Sequence, residues 1–199
     1  GDSVPHVKKN EQGVECWYAK GEMLHPAAGL ACAGYSEHPP RHAATLEDID
    51  IRAYEPEARL GIMDEYGIHA QVLYPNVAGF GAGRYVDFGD MELALLLLQA
   101  YNDYLADYAS VDRDRFVPIM AVPFWDLDIA IKEVERAASI GHKGLIFSQQ
   151  PEAFGCPRLS DPHGDPLWAR AQEMGLSVNF HIGSGDVTSS DMNMLHESA

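Results

Sequence analysis

The 199-residue sequence is short of cysteine, of positive charge and of long apolar runs, and each shortage closes off a class of protein. Cys16, Cys32 and Cys156 stand far apart with no CxxC pair, so neither a disulfide framework nor a zinc knuckle is expected. With no signal-peptide pattern at the N-terminus, the expected home is the reducing cytoplasm. Fourteen Lys and Arg against thirty Asp and Glu leave a net charge of −16, which opposes binding to nucleic acid or to anionic membranes. The longest apolar run, LALLLL at Leu93 to Leu98, is far shorter than the roughly 20 residues that span a bilayer. A phosphate-binding loop is missing too: GFGAGR at 79–84 has neither GxGxxG nor Walker spacing, and reads instead as a flexible lid or substrate loop.

What is present is a globular composition, 46% hydrophobic, with a rhythm that starts partway along the chain. Residues 1–55, rich in Ala, Gly, Pro and His with no hydrophobic period, read as an irregular excursion or insertion. Over 56–199 the spacing predicts helices closed by Gly67, Gly141 and Gly175, each followed by an apolar strand-like run. Strand-like runs begin at residues 70, 115, 143 and 176. Leu127, Ile131, Val134 and Ala138 form one helical stripe, and Leu93, Leu97, Tyr101, Tyr104 and Tyr108 another; both are expected to pack. LSDPHGDPLW at 159–168 predicts a helix capped by Asp165 with Pro166 in its first position. Strands apolar on both sides, alternating with helices, imply a parallel sheet in a βα barrel or a doubly wound fold.

In either architecture ligands meet the C-terminal ends of the strands. That rule selects Asn76 after the first strand, Phe124 and Trp125 after the second, Gln149 after the third, and His181 and Ser184 after the fourth. Asn76, Trp125, Gln149 and Ser184 are the expected substrate contacts. His181 stands where a barrel enzyme places a metal ligand or an acid–base group, because a rigid strand end fixes the direction of an imidazole that binds Zn²⁺ well. The competing reading is a strand-end histidine hydrogen-bonded to a neighbouring loop. His69 and His142 fall in helix-to-strand turns at the opposite, stability end.

YEPEARLGIMDEYGIHAQVLYPN, then YNDYLADYASVDRDRFVPIMAVPFWDLDIAIKEVERA, then LSDPHGDPLWARAQEMGLSVNFHIGSGD resembles the amidohydrolase-related metal-dependent hydrolases, in the branch that includes aminocarboxymuconate-semialdehyde decarboxylase. The resemblance covers about residues 54 to 186 and implies a (β/α)8 TIM barrel of which strands 2 to 5 are seen. His181 matches the ligand that ends the fifth strand; the first-strand ligand pair and the later His and Asp have no counterpart. Since such a barrel runs to about 250 residues, the sequence reads as an internal piece of one. The implied cofactor is a divalent metal, expected to be zinc. The implied activity is hydrolysis of a small carboxylate or ring substrate by metal-activated water, or alternatively non-oxidative decarboxylation of an aromatic or unsaturated acid. A non-catalytic partial barrel that assembles with another chain is the alternative of a different class. The expected partners are a small-molecule substrate and either a second copy of the chain or the missing barrel segments.

Overall fold

The computed structural model describes residues 4–29, 31, 42–75, 82–86 and 89–181, and divides into two compact units, Gly1–Gly67 and Ile68–Ala199. The first unit is less irregular than its composition suggests. Strands β1 (His6–Lys9), β2 (Glu15–Ala19) and β3 (Glu22–Pro26) form an antiparallel sheet in that order. The β2–β3 hairpin turns on Lys20 and Gly21, both at positive φ (52° and 82°), as a two-residue turn matched to strand twist requires. Short strands and a Lys-Gly turn in place of Asn-Gly leave little of this visible in the sequence. Beyond it, the Glu15 carboxylate accepts from the Leu46 N–H at 2.8 Å, and α1 (Pro56–Glu65) closes the unit.

The second unit is the expected α/β repeat. Strands β4 (Gln71–Leu73), β5 (Phe116–Ala121), β6 (Gly144–Ile146) and β7 (Ser177–Asn179) are adjacent in that order and all parallel. Between them run α2 (Gly83–Val86), α3 (Met91–Ala109), α4 (Leu127–Ile140) and α5 (Asp165–Glu173). Asp90 and Asp126 cap α3 and α4, their carboxylates accepting from Leu93 N and Ile129 N at 3.0 Å each. Gly67, Gly141 and Gly175 follow their helices at positive φ, as predicted; at Gly141 a Cβ would also collide with the Arg113 guanidinium. The cap of α5 differs from expectation by one residue: Gly164 is the N-cap and Asp165 opens the first turn, where its charge faces the helix dipole.

One face of the sheet packs on the helices. Met120, Leu145 and Phe147 meet Leu98 of α3, Val134 of α4 and Leu167 of α5 in one buried cluster. The helical stripes differ from the expected ones in phase. On α3 the buried positions are Ala94, Leu98, Asn102, Leu105, Ala106 and Ala109, while Tyr104 is 51% exposed. On α4 they are Ala130, Glu133, Val134 and Ala137, with Leu127, Ile131 and Ala138 at the margin. Apolar residues surround the start of α3, so hydrophobicity alone does not fix its rotation. Its true stripe passes through a polar residue.

That residue anchors a buried polar network. Asn102 donates to Ala121 O and Glu133 Oε1 (3.0 and 2.7 Å) and accepts from Ala121 N (2.9 Å). The Glu133 carboxylate also accepts from Gln99 Nε2 and from two nitrogens of Arg136, which reaches on to Asp103. His142 Nε2 lies 2.9 Å from Asn102 O. This satisfies the buried carboxylate and ties α3, α4 and the end of β5 together.

Candidate functional site

Side chains alternate across a strand, and the register therefore places Val72, Ile119, Ile146, Ser177 and Asn179 on the face away from the helices. Ile119 and Ile146 are fully buried there, outside the helix-side cluster. Towards the C-terminal ends this face turns polar.

Asn179 is held on every polar atom. Its Nδ2 donates to Leu145 O, Ser177 O and Ser177 Oγ at 3.1, 3.2 and 2.9 Å, and its Oδ1 accepts from the Tyr74 hydroxyl at 3.2 Å. Gly144 makes this possible: a Cβ there would run into Ser177 Oγ and come within 3.0 Å of Asn179 Nδ2. Tyr74 follows β4 and Asn179 lies in β7, with β5 and β6 between them. Laid flat, strands three places apart would be about 14 Å distant, so the hydroxyl reaches the amide as a chord across a concave face. The Tyr74 ring also meets His181 edge-on, centroids 6.2 Å apart at 67°.

The structure thus brings Tyr74, Asn179 and His181 together at the strand ends. Of these, Asn179 is hidden in the sequence by its apolar neighbours, and its only signal is its place two residues before the histidine. Trp125 belongs to a different group: it packs on Phe124, which meets Phe147 and Phe154 at 5.9 and 5.4 Å, while Phe147 meets Trp168 at 4.9 Å. Phe124, picked out with Trp125 by its place after the second strand, is buried in the helix-side core. Phe154 in turn covers Gly83 of α2, where a Cβ would lie 2.5 Å from the ring. Gln149 is exposed after β6, next to the fully buried Ser148. Asn76 and Ser184 lie outside the described residues, as does 79–81 of the expected lid.

An apolar cleft lined by Phe124, Phe147, Cys156, His163, Leu167 and Trp168 opens among the loops and includes none of the Tyr74–Asn179–His181 set. Burial pushes the Cys156 thiol up, away from thiolate reactivity. Burial likewise holds His142 below its ordinary value, and this histidine serves the polar network as expected of the stability end.

A catalytic zinc takes about three protein ligands. Among the described residues no group of three His, Cys, Asp or Glu could hold a metal. His181 fits as one donor, and the described residues do not complete a centre around it. No helix among them is long and apolar enough to cross a membrane.

The amidohydrolase family matches residues 28–198. Among curated relatives, gamma-resorcylate decarboxylase of Rhizobium radiobacter is 24% identical over 172 residues, covering 84% of this chain and 48% of its own. The 2-amino-3-carboxymuconate-6-semialdehyde decarboxylase of Dictyostelium discoideum is 25% identical over 136 residues, covering 68% and 36%. The chain spans about half the length, or less, of these relatives. Among solved structures, an amidohydrolase from Mycobacterium avium subsp. paratuberculosis K-10 matches 98% of this chain and 56% of its own, with a TM-score of 0.69 at 20% identity. A 5-carboxyvanillate decarboxylase from Novosphingobium aromaticivorans, solved with bound manganese, matches 70% and 38%, with a TM-score of 0.55 at 23% identity. The repeated α/β order, the parallel sheet and the match over 28–198 lead to one conclusion: the chain belongs to the amidohydrolase family, and the relatives it resembles include decarboxylases.

Proposed function

We propose that the whole protein is a metal-dependent non-oxidative decarboxylase of an aromatic or unsaturated carboxylic acid, and that the four parallel strands are part of an eight-stranded barrel. The observation that carries the reading is His181 two residues beyond the C-terminal end of β7, edge-on to Tyr74 in a chain whose curated relatives are named decarboxylases. Hydrolysis, the activity first implied by the resemblance, draws support only from the family as a whole.

Decarboxylation breaks the bond between the ring carbon and the carboxyl carbon. The electron pair stays on the ring carbon, which takes a proton, and carbon dioxide departs. A divalent metal, when bound, supplies positive charge that holds a substrate carboxylate and stabilises the developing negative charge. His181 would donate one imidazole nitrogen to it. Manganese in the 5-carboxyvanillate decarboxylase makes that ion a candidate alongside zinc. Asn76, Gln149 and Ser184 remain proposed substrate contacts at the strand ends, whereas Trp125 would act from the aromatic cluster. The test is to incubate the whole protein with manganese or zinc and a panel of hydroxybenzoates that includes gamma-resorcylate. Metal-dependent release of carbon dioxide, abolished in His181→Ala, is the expected result. Turnover of esters or amides with no carbon dioxide would replace the reading by hydrolysis, and the absence of both activities would favour a non-catalytic barrel.

A further inference from the structure

We infer that Tyr74 is a positioning residue for the His181 imidazole, and that Asn179 anchors it. The inference rests on reading His181 as the functional imidazole of the site and adds what sets its orientation. Three observations converge. Asn179 cannot swing, because Leu145 O, Ser177 O and Ser177 Oγ hold its amide nitrogen over Gly144. Its remaining oxygen accepts from the Tyr74 hydroxyl, which fixes a ring that would otherwise turn freely after the end of β4. That ring packs edge-on against His181, two residues beyond Asn179, where β7 ends.

The arrangement has a directional logic. A histidine just past a strand end starts from a backbone aimed by the sheet, but its ring keeps two side-chain rotations. A neighbour that follows a strand three places away, locked by the residue that ends the strand before the histidine, removes that freedom without occupying either ring nitrogen through this contact. Partners that orient a ligand usually do so by hydrogen-bonding its second nitrogen, and their loss costs about 10–100-fold in metal affinity. Here an aromatic edge supplies the restraint and the hydrogen bond lies one step further back.

The experiment follows the His181 ring by NMR in the metal-free whole protein, with manganese affinity measured in parallel on the wild type, Tyr74→Phe, Asn179→Leu, their double variant and His181→Ala. Tyr74→Phe keeps the ring and removes only its anchor. The expected result is that the His181 ring signals shift or broaden in both single variants, that the double variant moves them no further, and that each single variant weakens manganese binding by about tenfold. Wild-type ring signals in Tyr74→Phe would overturn the inference whatever the metal does. If His181→Ala binds manganese as the wild type does, the metal reading fails, and the ring signals still decide whether Tyr74 positions this histidine.

Discussion

Asn102 grips Ala121 by both of its backbone polar atoms, donating to the carbonyl oxygen at 3.0 Å and accepting the N–H at 2.9 Å. One side chain of α3 thereby pins the end of β5, just before the chain delivers Phe124 and Trp125. Replacing Asn102 by Leu leaves two backbone groups and the Glu133 carboxylate short of partners in the core. With about 1–3 kcal/mol for each buried group left unsatisfied, a loss of roughly 3 kcal/mol is expected. Urea unfolding checks it: the midpoint should fall while the slope holds, and an unchanged midpoint would mean that the network carries no net stability.

His142 makes stability depend on pH. Its Nε2 serves Asn102 O, while Nδ1 is buried with no hydrogen-bond partner among the described residues. Burial lowers its pKa, opposed by the Asn102 carbonyl, Glu133 and Asp103 and reinforced by Arg136. The unfolded chain therefore takes up a proton near the ordinary value of about 6.5 while the folded one does not. Stability from this group is fully present above that pH and declines on acidification, until the folded form also protonates. In His142→Gln, whose amide can still donate to Asn102 O, the fall between pH 7.5 and 5.5 should be shallower. Parallel pH curves for the two proteins would remove His142 as the cause.

Gly144→Ala tests the strap across β6. The added methyl would collide with Ser177 Oγ and press on Asn179 Nδ2, so the Tyr74–Asn179 hydrogen bond must shift. Forcing one methyl group into so tight a place typically costs about 1–3 kcal/mol. Thermal unfolding should show that loss for Gly144→Ala and much less for Ser177→Ala. Equal melting temperatures for Gly144→Ala and the wild type would show that the site tolerates a side chain.

The outer edges of β4 and β7 pair with no further strand among the described residues, and Val178 and Phe180 are 38% and 49% exposed. Unprotected edges with apolar side chains invite association. A protein of these 199 residues alone should self-associate, and Phe180→Lys should reduce the associated fraction in light scattering. A monodisperse monomer would count against an incomplete barrel.

The four strands and the glycines that end three helices could be anticipated because both follow from local chemistry: apolar runs suit a covered parallel sheet, and positive φ suits glycine. The phase of α3 could not, since a stripe that includes Asn102 is invisible to a hydrophobic count. The first-unit sheet was hidden for a related reason: β3 exposes Met23 and Leu24, so its alternation marks no buried face. In the site, position along the chain singles out His181, which the structure places two residues beyond the end of β7. Its partners depend on a contact between Tyr74 and Asn179, residues whose meeting no local pattern records.

Gly83 and Phe154 meet although they belong to segments that follow different strands. The ring that covers the glycine is itself wedged against Phe124, so it has little room to retreat. Residue size at position 83 is therefore set by residue size at position 154. Directed evolution that randomises one loop at a time should recover only small residues at 83. Libraries that vary both positions together should yield paired exchanges, a larger residue at 83 accompanied by a smaller one at 154.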